Sequence, residues 1–337
     1  MDATPFYLLQ FMCSLDPCCA QMVSLRLLKT SFLPDSVGLR SWCFISMLWS
    51  RLNVAHRMRK HVRHELLGSL LPGPSSSNPI WRHFLKANDL PWLQDHLVQS
   101  DIVYPGAGGI SMPVEALCQY SEVPTETLDG YYLRDIQISN ALVIPDTEAG
   151  IEVRLSLHPC DDKNLEPGWY EFSLKSPSSG GNSWNEHIRG CISQRQKSKA
   201  ALPSVVDGGD AIGQANSAHP LKVEIDYLFA RLRKMGLQHG PTFQNMLSIQ
   251  ANDSGSKFQF KVANVNSSYN LLHPTTLNSI FQGAYSALSS EDFQNSMVIP
   301  RAIQHIYVSQ AITSTPHYKF ESFATMIVAI SRAFGLP

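Results

Sequence analysis

A histidine in the first half of the chain, His96, has a setting that suits acid–base chemistry. It stands at the mouth of an apolar run that ends in a Pro-Gly turn and leads into a helical segment, within WLQDHLVQSDIVYPGAGG at residues 92–109. An imidazole titrates near neutral pH, so His96 is a candidate proton acceptor. Asp95 and Asp101 lie at odd offsets from it, and in a strand both would point to the opposite face. The alternative is an ordinary surface or core histidine before a turn.

A polar pair in the second half of the chain is the other candidate for chemistry. The segment LHPTTLNSIFQ, residues 272–282, has the spacing of a helix, and it places Asn278 and Gln282 four residues apart on one face. Apolar residues of the same segment are available for packing, namely Leu277, Ile280, Phe281 and Ala284. Two polar side chains therefore lie on one face of the predicted helix.

Together with HELLG at residues 64–68 and GPTFQ at residues 240–244, these segments resemble the dehydratase domain of fungal, highly reducing polyketide synthases. The likeness covers roughly Arg51 to Ser322. The family's first motif, HxxxGxxxxP, is represented by His96, Ser100 and Pro105. Its second motif, DxxxQ or DxxxH, is represented by Asn278 and Gln282. The resemblance implies an α+β double hotdog fold, in which each of two subdomains has a central helix wrapped by an antiparallel sheet.

The resemblance also implies a reaction, the removal of water from a 3-hydroxyacyl thioester on an acyl carrier protein, in secondary metabolite biosynthesis. By this likeness His96 is the base that takes the C2 proton, and Asn278 occupies the position of the family acid. Backbone N–H groups at the start of the central helix would stabilise the enolate oxygen. No metal or redox cofactor is expected. The positions expected to bind substrate are Ser100, Pro105, Gly106, Gly109, Gly240, Pro241 and Gln282.

Four residues depart from the family pattern at or near these positions. Ser100 replaces a glycine, and glycine takes up some backbone conformations more readily than serine. Gly109 and His239 stand where the family commonly has tyrosine. Asn278 replaces the acid, and an amide can orient a hydroxyl but cannot deliver a proton. Loss of general acid assistance typically costs on the order of 10² to 10⁴ in rate.

Two other histidines occur in segments that the resemblance covers. His273, followed by Pro274, is a conceivable acid, although the resemblance gives this His-Pro pair a structural role. His187 and Glu186 adjoin in WNEH, which the resemblance also places in a structural strand. Three hypotheses therefore remain open: a dehydratase, a catalytically impaired or inactive binding or scaffold module of the same fold, and a gene fragment.

Composition limits the classes of partner. With 337 residues, 44% of them hydrophobic, the chain can bury a sizeable core, and a formal net charge of -1 gives no general attraction to nucleic acid or an anionic membrane. The basic cluster at residues 57–64 is read as a solvated linker rather than a nucleic-acid patch. Seven cysteines without CxxC spacing fit a reduced, cytoplasmic location. The expected partners are an acyl carrier protein and other synthase domains, and a homodimer stays open.

The elements that must position these residues follow from periodicity. Helices are predicted at residues 107–120, 224–237 and about 275–288, and strands at 80–85, 101–105, 131–138, 141–144, 151–157, 169–174, 184–192, 246–250 and 258–262. The predicted organisation is an unassigned segment or linker at 1–48, a basic linker at 49–63, the N-terminal hotdog at 64–193, a linker at 194–219 and the C-terminal hotdog at 220–337. Because the ending at residues 327–337 does not match the family, we expect the second hotdog to be truncated.

Overall fold

The structure, a computed structural model, describes the greater part of the chain from residue 61 onward. The described ranges are 11–12 (backbone only), 61–72, 78–121, 123–160, 167–178, 183–197, 221–252, 255–265, 270–286, 299–312 and 315–325. The chain divides into two compact units, one of residues 1–14 and 63–337 and the other of residues 15–62. All elements below belong to the first unit, and the predicted linkers at 1–63 lie almost wholly outside the described residues.

Antiparallel strands contain more of the described residues than the helices do. In chain order they are β1 (Phe11–Met12), β2 (Ser69–Leu70), β3 (Ile80–Leu85), β4 (His96–Val98), β5 (Asp101–Tyr104), β6 (Leu128–Ile138), β7 (Leu142–Val143), β8 (Ile151–Pro159), β9 (Trp169–Pro177), β10 (Trp184–Gln196), β11 (Leu221–Lys222), β12 (Leu237–His239), β13 (Met246–Asn252), β14 (Gly255–Lys261), β15 (Ala302–Ser309) and β16 (Lys319–Thr325). Strand β10 extends three residues into the predicted linker at 194–219, whose remainder from residue 198 is not described.

Three α-helices and three short 3₁₀ helices complete the described elements. The α-helices are α1 (Gly106–Tyr120), α2 (Ile225–Lys234) and α3 (Pro274–Tyr285), and the 3₁₀ helices are Pro91–Asp95, Thr125–Thr127 and Pro241–Phe243. The predictions for α1 and α3 are confirmed, except that α3 ends at Tyr285 with Ser286 as its C-cap, and residues 287–288 lie outside the described ranges. The prediction that α2 continues to Leu237 is wrong. Gly236 has a φ of +90°, which ends the helix, and Leu237 begins β12.

Three sheets surround the two longer helices. Their strand orders are β1-β15-β6-β10-β9-β8-β3-β2, β11-β13-β14-β16 and β12-β4-β5-β7. The first sheet joins the two halves of the sequence, because β15 pairs with β6. The third sheet does the same, because β12 pairs with β4. The α+β prediction is therefore confirmed.

Each half has a buried helix at its centre. Residues from Ala107 to Leu117 of α1 are all buried, and this helix lies against β8 and β10. Helix α3 is buried from Pro274 to Gly283 and lies against β13, β14 and β16. A helix that is buried on every side belongs in a core rather than on a surface. Two helices of this kind, each wrapped by antiparallel strands, give the double hotdog arrangement.

A buried carboxylate connects the two central helices. Glu115 of α1 accepts a hydrogen bond from the backbone amide of Leu272 at 3.1 Å, two residues before α3 begins. His64 Nε2 lies 3.5 Å from the other oxygen of Glu115, and His64 Nδ1 accepts from the Leu66 amide, so Nε2 carries the proton that points to Glu115. A buried carboxylate is stable only when paired or hydrogen-bonded. Glu115 therefore fixes the start of α3 relative to α1.

Candidate functional site

His96 is the first residue of β4, and its side chain is buried. Its Nδ1 lies 2.8 Å from the carbonyl oxygen of Val103 on the neighbouring β5. Since a carbonyl can only accept, Nδ1 carries the proton, and Nε2 has the free lone pair. Burial lowers the pKa of His96 to about 4, although the hydrogen bond to Val103 acts in the other direction. His96 is therefore a neutral imidazole at pH 7 with one basic nitrogen available.

A tight hairpin turn holds β4 against β5. Val98 pairs with Asp101, which leaves Gln99 and Ser100 as the two turn residues, with φ values of +52° and +91°. Positive φ at both central positions defines a type I′ turn, which favours glycine or asparagine. Ser100 thus occupies the position where the family motif has glycine, and the backbone there has a conformation that suits glycine. Ser100 is exposed in this turn, and the length of β4 separates it from His96.

The pairing of β4 with β12, here called the β4–β12 seam, brings the two halves of the chain together at His96. His96 and His239 are direct partners in this pairing, so their side chains lie on the same face of the sheet. Asp95 reinforces the seam, because its backbone oxygen accepts from the Gly240 amide at 2.8 Å and its carboxylate accepts from the Thr242 amide at 2.9 Å. Asp95 is the last residue of a 3₁₀ helix rather than part of a strand, and its carboxylate is bound by the turn after His239.

Gly240 is required at this seam by close packing. A Cβ atom at Gly240 would lie 2.1 Å from Oδ1 of Asp95, which is far inside van der Waals contact. Pro241 begins the 3₁₀ helix that follows and is exposed. Gly240 and Pro241 therefore shape the turn after His239, and substrate binding by these two residues stays a prediction.

The two histidine rings share an apolar surround. Their centroids are 5.2 Å apart, and the fully buried ring of Phe243 lies 5.2 Å from His96 and 5.8 Å from His239. Phe229 meets the His239 ring edge-on at 6.5 Å. Burial, and secondarily the nearby His96, lowers the pKa of His239 to about 3. Both imidazoles are thus neutral at physiological pH.

Helix α3 supplies amide groups to the same region. Gln282 is fully buried, and its Nε2 donates to the carbonyl of Phe243 at 3.0 Å and to Nδ1 of His239 at 3.2 Å. Asn278 lies one turn earlier on the same helix face and is 7% exposed. Its Nδ2 has no hydrogen-bond partner among the residues that the structure describes. Because a buried polar group without a partner is costly, this amide is a candidate for contacting a ligand.

The start of α1 supplies backbone amides. Pro105 is the residue before the helix, and its carbonyl accepts from the amides of Gly108 and Gly109. The amides of Gly106 and Ala107 are thus the candidates for binding an oxyanion at this positive helix end. The His96 ring is hydrogen-bonded to Val103, which precedes Pro105 by two residues. The chain therefore leads from this contact directly into the start of α1. Gly109 is buried, and a Cβ there would lie 3.1 Å from Cγ2 of Ile188, so a tyrosine would require Ile188 to move.

His273 and His187 have structural partners. His273 caps α3, since its Nδ1 accepts from the backbone amide of Thr275 at 3.2 Å, and burial lowers its pKa to about 4. A neutral capping histidine is unsuited to replace the acid at position 278. His187 Nδ1 donates to the Asn140 carbonyl at 3.1 Å, and its Nε2 lies 2.8 Å from the Ser176 hydroxyl. Both histidines therefore stabilise the fold, which is the role that the resemblance gave them.

The structure thus brings together His96, His239, Phe243 and Gln282, with Asn278 on the adjoining helix turn. Their arrangement provides a neutral base next to hydrogen-bond donors in an apolar setting, which suits proton abstraction from carbon and stabilisation of a departing oxygen. In the sequence, His239 stood out only as the replacement of a family tyrosine before Gly240 and Pro241. Its pairing with His96 was not predicted.

Family comparisons agree with this arrangement. Residues 64–176 match the family model described as polyketide synthase dehydratase domain, and residues 210–332 match the model described as polyketide synthase dehydratase N-terminal domain. Together the two matches take in most of the described residues. The first match ends before the predicted linker at 194–219, the second begins within it at residue 210, and each contains one of the central helices.

Curated relatives include large fungal synthases. Squalestatin tetraketide synthase of Cochliobolus lunatus is 41% identical over 280 residues, which is 78% of this chain and 11% of that protein. A highly reducing polyketide synthase of Aspergillus terreus is 37% identical over 290 residues, or 80% of this chain and 11% of that protein. The chain therefore spans about a tenth of the length of these relatives.

Solved structures share the fold at low sequence identity. The dehydratase domain from the CurF module of curacin polyketide synthase has a TM-score of 0.61 at 19% identity, with 75% of this chain and 86% of that chain covered. A CurK dehydratase with an Asp-to-Asn exchange, described as an inactive mutant, has a TM-score of 0.59 at 20% identity and covers 78% of this chain and 85% of its own. These likenesses confirm the double hotdog fold. Among the described residues, no helix combines the length and apolar character needed to cross a membrane.

Proposed function

The chain belongs to the polyketide synthase dehydratase family, and on that premise we propose that its site eliminates water from a 3-hydroxyacyl thioester to give the 2-enoyl thioester. The observation that carries the proposal is the hydrogen bond from His96 Nδ1 to the Val103 carbonyl. It fixes the tautomer, so that Nε2 is free to accept the C2 proton. The base is neutral at physiological pH because burial keeps its pKa low.

The rest of the site supports the same reaction. Removal of the C2 proton places negative charge on the thioester oxygen, and amides at the start of α1 suit an enolate oxygen. The buried Nδ2 of Asn278, which has no hydrogen-bond partner among the described residues, is available to hydrogen-bond the C3 hydroxyl. These groups need no metal or redox cofactor for the elimination. We therefore still expect this chain to act without one.

The substrate is proposed to arrive as a thioester on an acyl carrier protein. The curated relatives are multidomain synthases of which this chain matches about a tenth, so other synthase domains are the expected partners. Homodimer formation also stays a prediction. The relatives and structural neighbours are named as polyketide synthases and dehydratase domains, which supports the enzymatic hypothesis over a non-catalytic module.

Asn278 is expected to make the reaction slow. An Asp-to-Asn exchange inactivates one of the structural neighbours, and an amide at position 278 has no proton to give. We therefore expect measurable turnover at a rate well below that of a site with a carboxylic acid at this position.

The test is turnover of a 3-hydroxyacyl pantetheine thioester, followed by formation of the enoyl product. We expect His96→Phe to lower the rate at least about 100-fold, because it removes the base and keeps an aromatic ring against Phe243. His305→Phe, at an exposed position of β15, is the matched control and is expected to keep the rate within about twofold. A folded His96→Phe protein with an unchanged rate would contradict the proposal.

A further inference from the structure

The hydrogen bonds of Gln282 determine which nitrogen of His239 carries a proton. The Gln282 atom beside the Phe243 carbonyl must be the amide nitrogen, because two oxygens would repel each other at 3.0 Å. The second hydrogen of that nitrogen points to His239 Nδ1 at 3.2 Å, so Nδ1 accepts. A neutral imidazole that accepts at Nδ1 carries its proton on Nε2. His239 therefore presents an N–H donor at Nε2.

His96 and His239 form a complementary pair for this reason. His96 donates through Nδ1 and has a lone pair on Nε2, whereas His239 accepts through Nδ1 and has a proton on Nε2. The rings lie on one face of the β4–β12 seam with centroids 5.2 Å apart, and Phe243 packs against both. The site thus holds one acceptor and one donor of similar shape side by side in an apolar environment, where hydrogen bonds are stronger than in water.

From this pairing we propose that His239 is a further catalytic residue, which donates its Nε2 hydrogen bond to the C3 oxygen of the substrate as that oxygen departs. The inference rests on the proposed dehydratase function. The C3 oxygen is the partner because His239 is held by Gln282, one helix turn from Asn278, and so belongs to the wall of the second half. The enolate oxygen would instead accept hydrogen bonds from the backbone amides at the start of α1, which follows Val103 in the chain.

Every proton in the elimination is accounted for without an acid at position 278. The C2 proton passes to Nε2 of His96, the C2–H electron pair forms the C2=C3 bond, and the C3–O bond breaks with its pair on oxygen. The imidazolium of His96 then gives the same proton to that oxygen, which leaves as water, and His96 returns to its neutral form. His239 keeps its own proton throughout and stabilises the negative charge on the oxygen. Burial lowers the pKa of His239, so this neutral form is the one present.

The kinetic test compares His239→Phe with His239→Tyr, using the same pantetheine substrate. Phenylalanine keeps a ring against Phe243 and removes the donor, so we expect kcat to fall about 10- to 100-fold with KM changed less than about threefold. Tyrosine supplies an O–H donor, and we expect it to recover kcat to within about tenfold of the wild type. Melting temperatures of both variants report whether the fold is intact. A folded His239→Phe protein with wild-type kcat would overturn the role of His239.

Two further outcomes separate this inference from the proposed function. Nitrogen-15 NMR of the wild-type imidazoles does not depend on turnover, and we expect an Nε2–H tautomer for His239 and an Nδ1–H tautomer for His96 between pH 6 and 8. An Nδ1–H tautomer at His239 would overturn the inference and leave the function of His96 intact. Absence of wild-type turnover, or an unchanged rate in His96→Phe, would overturn the proposed function and the catalytic role of His239 with it.

Discussion

One backbone carbonyl and one buried amide give two histidines opposite hydrogen-bonding roles. The Val103 carbonyl fixes the proton of His96 on Nδ1, and Gln282 fixes that of His239 on Nε2. Burial keeps both rings neutral, since a charged imidazole loses hydration among Phe229, Phe243 and the strands. At the scale of single residues, the chemistry of the site therefore depends on the partners of each ring more than on the residue type.

Position 278 is the residue whose exchange should raise the rate. We expect Asn278→Asp to increase kcat for the pantetheine substrate by about 100-fold or more, because a buried carboxyl has a raised pKa and keeps a proton to give to the departing hydroxyl. Asn88→Asp, at an exposed position, makes the same amide-to-acid exchange away from the site and should leave kcat unchanged. Equal rates for Asn278→Asp and the wild type would show that position 278 does not limit the reaction.

The sequence predicted the candidate residues better than it predicted their arrangement. His96, Asn278 and Gln282 could be chosen from motif spacing, because a histidine before a Pro-Gly turn and two amides four residues apart are local patterns. The contact between His96 and His239 left no local pattern, since it depends on pairing of two three-residue strands far apart in the chain. The predicted end of α2 at Leu237 was also wrong. The positive φ of Gly236 ends the helix earlier and directs Leu237 into the seam.

At the scale of elements, short strands and their turns position the site. Strand β4 has only three residues, yet it pairs with β5 on one side and β12 on the other. Asp95 adds two hydrogen bonds to Gly240 and Thr242, and Gln99 donates to the Gly236 carbonyl at 2.8 Å. These bonds flank the histidine pair on both sides. The β4–β5 turn therefore affects how firmly His96 is held.

Relief of strain in that turn should stabilise the protein. Ser100 has a φ of +91°, a region that costs a residue with a side chain roughly 1 kcal/mol relative to glycine. We expect Ser100→Gly to raise the free energy of unfolding in urea by about that amount. The control is Ser121→Gly at the end of α1, where φ is -67° and the hydroxyl accepts from the Val123 amide, so glycine should destabilise. Equal losses of stability in both variants would contradict this account of the turn.

At the scale of the described molecule, buried neutral histidines link folding to pH. Burial is the principal cause that lowers the pKa of His83, His96, His239, His273 and His187, to values of about 4, 4, 3 and 4 for the first four. They are distributed over both halves, from β3 to the start of α3. His83, for example, has its Nε2 2.7 Å from the Glu65 carbonyl, away from the histidine pair.

The free energy of unfolding should fall between pH 7 and pH 5. In the unfolded chain these histidines regain a pKa near 6.5, so below that pH the unfolded state binds protons that the folded state does not. The contribution of these histidines to the free energy of unfolding is then fully present above about pH 6.5, and it declines as the pH falls toward 4. The four histidines with a folded-state pKa of about 4 or 3 each contribute on the order of 2 kcal/mol to the loss by pH 5. Burial opposes ionisation of the Glu152 carboxyl, but Arg82 and Arg154 together hold its pKa below the ordinary value of 4.5, so its contribution is lost only below that pH, outside this interval.

Urea unfolding at pH 7.5, 6 and 5 measures this dependence, and His83→Phe identifies its origin. The variant removes one titrating ring from outside the catalytic site, so we expect a shallower fall of the unfolding free energy with pH than in the wild type, whatever its stability at pH 7.5. The comparison of slopes is informative because changed packing at position 83 shifts stability equally at every pH, whereas removal of a titrating group changes its pH dependence. Equal unfolding free energies of the wild type at pH 7.5 and 5 would show that these histidines are not held neutral by the fold. The neutral states of His96 and His239, on which the proposed elimination depends, would then lose their physical basis.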